Sequence, residues 1–306
     1  MLRLVSLLPS LTEALCALGL VDELVGITHE CDYPPAIQTK TVVTTTTLAH
    51  DLTSLEIEEQ VQRQVQQEAS LYGLDFAALQ RLQPDIIFTQ GLCEVCAVSE
   101  TLVHALAAKL DPVPKVVAIS PTSLAEVLTS IETIGRATGR GLMAQALLQQ
   151  AQARIESVVM GARDLARPRV FGLEWLDPPY ASGHWFPELV TKAGGTPWGV
   201  AGQPSQRAHW DEIAEFAPEV LVILPCGFSM ERTWSEVAIL RSQPHWSTLP
   251  AVRQNRVWVV DGNSYFNRPG PRLVDSLEIL AQIIHPQPFA GLAKQGFQHW
   301  ATAGMA

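Results

Sequence analysis

Short apolar runs of strand type recur along this chain, and most are followed by a turn and then by a stretch with helical spacing. The runs are Leu2–Leu8, Leu24–Thr28, Thr41–Thr47, Asp85–Thr89, Lys115–Ile119, Val170–Glu174, Val220–Leu224 and Val257–Val260. Continuous runs of this length suit strands buried on both faces, and their alternation with helices predicts parallel sheets in an α/β fold, as two Rossmann-like lobes. Helices are expected from a Ser10 cap to about Leu18, over Glu56–Leu71, Phe76–Leu82 and Thr101–Leu110, and over Leu273–Ile284. From Ser123 to about Ala166 apolar residues keep helical spacing only (Leu124, Val127, Leu128, Ile131, Ile134, then Leu142 to Val159). The chain therefore divides into an N-terminal α/β lobe over 1–122, a helical bridge over 123–167, a C-terminal α/β lobe over 168–285 and a tail over 286–306.

One segment recurs. LQRLQPDIIFTQG at 79–91 parallels IAEFAPEVLVILPCG at 213–227: a short helix, Pro-acid, a strand, then a glycine turn. Duplication of one unit and chance recurrence of a common joint both account for it.

Composition sets the class of partner. The 306 residues are 47% hydrophobic and 17% charged, ample for a core. A net charge of −10 makes the chain a poor partner for phosphate backbones or anionic lipid, so nucleic-acid binding is not expected as its main job, and the charge balance does not identify a small-molecule ligand. No apolar run reaches the roughly 18 residues of a membrane span. The N-terminal MLRLVSLLPSLTEALCALGL resembles a signal peptide only in part, because Ser6, Pro9, Ser10, Thr12 and Glu13 interrupt it. It reads as strand, turn and helix, which gives a cytoplasmic placement for the chain as it stands and a periplasmic one if the N-terminus lies upstream. The cysteine count is 5, an odd number that fits a reducing compartment better than a disulfide framework.

In parallel sheets ligands sit outside the carboxyl ends of strands, and the chemically distinctive residues here follow strands. Pro9 and Ser10 follow the first, and His29, Glu30, Cys31 and Tyr33 the second. Cys93 and Cys96 come after Thr89; Trp175, Tyr180, His184 and Trp185 follow the strand that ends at Glu174. Cys226 follows Leu224, and Tyr265 and Arg268 come after Val260. Tyr33, Trp175, Tyr180, Trp185, Tyr265 and Phe266 can line a flat apolar ligand site or simply pack loops. Cys93 and Cys96 form a CxxC that Cys31 and Cys226, with His29 or His184, could complete as a zinc or iron–sulfur site. A redox pair and unrelated thiols are the other two readings. The chain has no glycine-rich phosphate loop, GxSxG or HExxH, and no catalysis is expected.

The order VSLLPSLTE, GITHECDYPP, LQPDIIFTQ, LDPPYASG, AGG, APEVLVI and FNRPGPR resembles the cobalamin and iron-siderophore substrate-binding proteins of ABC importers, over roughly residues 2–285. The resemblance implies two α/β lobes bridged by a long helix. It implies a monomer that holds a cobalamin-like corrinoid or another metal chelate between its lobes without chemistry, and an ABC importer permease as partner. Pro9 and Ser10 match the first-strand turn, Tyr180 an aromatic that packs on the corrin ring, Tyr265 a further aromatic, and Arg268 an arginine near the ligand. Glu30 stands where the family has a ring-cradling tyrosine. Asp211 matches the second-lobe docking acid, whereas Ala77 occupies the first-lobe position. With a corrinoid ligand, His29 or His184 is placed in the chain to reach the cobalt. The alternative is a cytoplasmic metalloprotein or enzyme built on the Cys/His set.

Overall fold

The computed structural model describes residues 1–47, 52–66, 72–91 and 98–301. They form two compact units. One comprises Met1–Leu52, Glu56–Pro121 and Val127–Gln149; the other comprises Thr53–Leu55, Thr122–Glu126 and Gln150–Ala306. The helical stretch is two helices, Leu124–Ala137 and Gly141–Ala162, whose residues are shared between the units.

The first unit contains strands β1 (Leu4–Ser6), β2 (Leu24–Ile27), β3 (Thr41–Val42), β4 (Thr44–Thr46), β5 (Tyr72–Leu74), β6 (Ile86–Thr89) and β7 (Lys115–Ala118). Five make a parallel sheet in the order β3-β2-β1-β6-β7, while β4 and β5 pair antiparallel. Both faces of the sheet are covered, because alternate strand residues point to opposite sides. Leu4, Ile86 and Phe88 pack into a cluster with Leu11, Leu15 and Ile131. Val5 and Ile87 pack with Leu79, Val103 and Ala107. The first helix, Pro9–Ala17, opens on proline with Leu8 as its cap residue and no side-chain cap. Ser10, expected as the cap, is instead a buried residue of the first turn, because the fixed φ of Pro9 suits the N1 position. The polar helix runs Ser54–Gln66; the expected continuation to Leu71 falls outside the described residues.

The second unit contains β8 (Arg169–Trp175), β9 (Tyr180–Ala181), β10 (Thr196–Pro197), β11 (Gln206–Arg207), β12 (Val220–Ile223), β13 (Val257–Val260) and β14 (Phe297–His299). The sheet order is β11-β9-β8-β12-β13-β14, with β10 also on β8. The centre, β8-β12-β13, is parallel; β9, β11 and β14 pair antiparallel at the margins. Phe171, Leu173, Leu221, Ile223, Val257 and Val259 form the core of one face. On the other, Phe186 lies so close to Gly172 that a Cβ there would meet its ring at 2.4 Å. The segment read from the sequence as a tail contributes a strand at 297–299. Strand β14 pairs with β13, and Phe297 and His299 both pack on Trp258, at ring separations of 5.8 and 4.6 Å.

The recurring segment is the same physical joint in both units. Helices Phe76–Leu82 and Trp210–Phe216 end on left-handed residues, Gln83 (φ 42) and Ala217 (φ 50). Proline and an acid follow. Asp85 accepts the backbone N–H of Arg3 at 2.7 Å, and Glu219 that of Arg169 at 3.0 Å. The two arginines return the contact: Nε donates to Leu82 O at 2.6 Å in one unit and to Ala217 O at 2.9 Å in the other. Each joint aligns the first strand of its unit, β1 or β8, beside the strand that follows the acid.

Candidate functional site

In the first unit the loop after β2 folds back on β4. Thr44 is the hub. Its Oγ1 accepts the backbone N–H of His29 at 3.0 Å, lies 2.7 Å from His29 Nδ1, and donates to Thr28 Oγ1 at 3.0 Å. Thr28 Oγ1 also accepts the backbone N–H of Glu30 at 3.4 Å. The Tyr72 ring packs against the imidazole, with centroids 5.7 Å apart and planes at 31°. His29 Nε2 lies 3.2 Å from Glu30 Oε1. Beside this network is a small pocket walled by Leu7, Leu8, Pro9, Tyr72 and Val98, with Thr28, Glu30 and Thr44 as its polar groups. The structure thus joins Pro9, His29 and Glu30. Ser10 is buried in its helix, and Tyr33 is 46% exposed. Thr28, Thr44 and Tyr72 were missed by the sequence reading, since nothing local marks a threonine on another strand as the partner of a histidine.

In the second unit the loops after β8 enclose Glu174. Its carboxylate accepts Ser182 Oγ–H and Ser205 Oγ–H, both at 2.7 Å. Ser205 Oγ also accepts the Gly183 N–H at 3.1 Å. Gly183 has to be glycine, because a Cβ would meet the backbone of 203–205 at 2.5 Å and push Ser205 away. Burial lifts the Glu174 carboxyl above its ordinary range, and the two serine hydrogen bonds oppose that lift. His184 follows with φ 50, and burial lowers its pKa. Its ring lies 5.5 Å from that of Trp185.

The remaining aromatics divide between exposure and packing. Trp175 is part-buried, donates Nε1–H to Ser54 O at 3.2 Å and meets Phe228 edge-on at 5.3 Å. Tyr180, also part-buried, sits on β9 opposite Trp175 and Arg207. Trp185 is buried, with Nε1–H donated to Phe266 O at 2.8 Å. Tyr265 is buried too: its hydroxyl accepts from Gln295, and the Arg272 guanidinium lies over its ring. Arg268 is buried and donates to Asn263 Oδ1 at 3.0 Å.

Of the thiols, Cys31 Sγ is 3.0 Å from Thr12 Oγ1 in the first unit, and Cys226 is exposed in the second. Cys93 and Cys96 lie outside the described residues. Cys16 packs on the core, and burial pushes its thiol up to about 11, which keeps it protonated at neutral pH. Among the described residues, no group of three or more His, Cys, Asp or Glu is placed to hold a metal ion. Ala77 is exposed; Asp211 is also exposed, with His245 Nε2 2.8 Å from its carboxylate.

Parallel α/β units whose strand-end loops gather imidazole, hydroxyl and aromatic groups define a ligand-binding protein of the two-lobed class. A family model described as periplasmic binding protein matches residues 4–263, and the chain belongs to that family. It is similar to an uncharacterized ABC transporter substrate-binding lipoprotein of Bacillus subtilis, at 24% identity over 293 residues, 94% of this chain and 81% of the relative. It is 23% identical over 288 residues to the vitamin B12-binding protein of Vibrio cholerae, covering 90% of this chain and 86% of the other. The fold matches a periplasmic heme binding protein from Pseudomonas aeruginosa, with a TM-score of 0.70, 19% identity and 93% of each chain covered. It also matches the solved vitamin B12 binding protein of Vibrio cholerae, with a TM-score of 0.65, 20% identity, and 92% and 96% covered. The chain is accordingly a substrate-binding protein and not an enzyme. Among the described residues no helix is long and apolar enough to cross a membrane.

Proposed function

We propose that this protein binds a planar metal chelate, a cobalamin-like corrinoid or a heme, and presents it unchanged to an ABC importer permease. The observation that carries the reading is membership of the periplasmic binding protein family, and the small pocket after β1 and β2, walled by Leu7, Leu8, Pro9 and Tyr72 beside the Thr28–His29–Thr44 network, is the place proposed for one edge of the ligand. The names of the relatives, vitamin B12-binding and heme-binding, support the same ligand class. Trp175, Tyr180, His184 and Arg268 are the proposed contributors from the second unit. The relatives named as periplasmic or as lipoproteins favour an extracytoplasmic place over the cytoplasmic one read from the sequence. Asp211 is the proposed docking acid.

Calorimetric titration of the full chain with aquacobalamin, hemin and a ferric siderophore tests the ligand class. One of the first two is expected to bind at one per chain and to be recovered chemically intact. Failure of both to bind, or recovery of an altered product, overturns the proposal. The thiol site proposed for Cys31, Cys93, Cys96 and Cys226 is tested separately by metal analysis of anaerobically purified protein; metal well below one per chain, unchanged in Cys93→Ser, removes it.

A further inference from the structure

Two segments of the second unit meet over the carboxylate at the end of β8. The nearer, 180–184, holds two of the proposed ligand contributors, Tyr180 and His184. The farther is 202–207. Strands β9 and β11 pair through Ala181–Gln206 and Tyr180–Arg207. Beyond the strands the segments stay joined: the His184 N–H donates to Gln203 O at 2.5 Å, and the Gly202 N–H to His184 O at 2.8 Å. Glu174 ties them at one point, since Ser182 of the nearer segment and Ser205 of the farther both donate to its carboxylate. His184 takes φ 50, a conformation that a non-glycine residue keeps only where its surroundings impose it.

The titratable and charged groups on the elements around Glu174 are Asp177, Tyr180, His184, Arg207 and Cys226. Among the described residues none of them forms an ion pair with it, and Arg207 and Cys226 are exposed. An enclosed charge without a partner is costly, and burial outweighs the two serine hydrogen bonds, so the carboxyl holds its proton above the ordinary range. The neutral acid avoids that cost without losing either contact. Its O–H donates to one serine oxygen, and its other oxygen still accepts from the second serine. Ser205 Oγ accepts the Gly183 N–H in either state. Ionisation puts an unpaired charge beneath the segments, and opening them to water relieves it.

We infer that Glu174 is a positioning residue for the ligand contacts of the second unit: protonated, it clasps 180–184 to 202–205 and sets Tyr180 and His184 in place; ionised, it lets the segments part. This rests on the function proposed above and couples it to a proton. The ligand is held more tightly at the acid end and is released as pH rises.

The test compares the full chain with Glu174→Gln, whose amide keeps a donor and an acceptor and cannot ionise. Both are titrated with aquacobalamin and with hemin over about four pH units upward from the ordinary glutamate range. For the probe that binds, wild-type affinity is expected to fall about tenfold relative to Glu174→Gln as pH rises through the titration of Glu174. The ratio of the two proteins removes the titration of His184 and of the probe itself. Without ligand, hydrogen exchange at the Gly183 and His184 amides, corrected for its intrinsic pH dependence, should lose about tenfold of its protection in the wild type over the same window and none in Glu174→Gln. If the two proteins share one pH profile in affinity and in protection, or if only one of the two readouts separates them, the inference falls while the binding function stands. If neither probe binds the wild type at any pH, the function proposed above falls and takes the inference with it.

Discussion

The two units agree at one end of their central strands and differ at the other. Where the strands begin, Arg3 with Asp85 and Arg169 with Glu219 make the same joint, down to the left-handed residue before the proline. Where the strands end, the first unit orients an imidazole between a threonine at Nδ1 and the Glu30 carboxylate at Nε2. The second closes a carboxylate under two serine hydroxyls. A repeated scaffold therefore carries two unrelated polar networks. The one in the second unit closes over a buried carboxylate and holds a loop in place, whereas the one in the first borders the small pocket.

The largest effects should fall on the shared scaffold and should be alike in both units. Phe88→Ala and Phe171→Ala each remove a fully buried ring from a central strand and should cost about 3–5 kcal/mol in urea unfolding. A loss under about 1 kcal/mol at either position would break the parallel between the cores. Next come the joints. Asp85→Ala and Glu219→Ala each leave a backbone N–H without its carboxylate and should each cost about 1–2 kcal/mol, less for the exposed Asp85. A cost at only one of them would make the recurrence a coincidence of shape.

The pH dependence should separate the two strand ends. The Glu174 pKa is raised in the folded chain, so the stability it contributes is fully present below its unfolded pKa and is lost as pH rises through the higher folded value. Glu174→Gln should therefore gain stability relative to wild type across that upward window, as followed by thermal melts. A difference between the two proteins that does not vary with pH would show that the carboxylate is not held in this way. The smallest effect belongs to the two left-handed residues. Gln83→Gly and Ala217→Gly should each stabilise by roughly 0.5–1 kcal/mol, since glycine adopts positive φ without strain; destabilisation at both would contradict the cap geometry.

Much of this was legible in the residues. Runs such as LVGI, IIFT and VLVI are almost wholly apolar because both faces of their sheets are covered, and that pattern survives without coordinates. The long helices 124–137 and 141–162 carry enough turns for their period to show. Helices Phe186–Lys192 and Met230–Glu236 do not, and the two-residue strands β9, β10 and β11 are shorter than one period of alternation. Strand β14 was read as tail because its pairing with β13 depends on a partner nearly forty positions away. At the site, position after a strand picked out His29, Glu30 and Trp175. It could not show that Trp185 and Tyr265 are buried by packing, nor that Thr44 and Ser205 complete the networks, because those pairings join residues distant in sequence.

Hydrogen exchange of the full chain with and without the chelate that binds it most tightly tests the account most directly. Slowed exchange is predicted at the amides of His29 and Glu30 in the first unit and around 180–184 in the second, with the Arg3 and Arg169 amides at the joints unchanged. Protection confined to the joints, or none at His29 and Glu30, would contradict a ligand held at the strand ends.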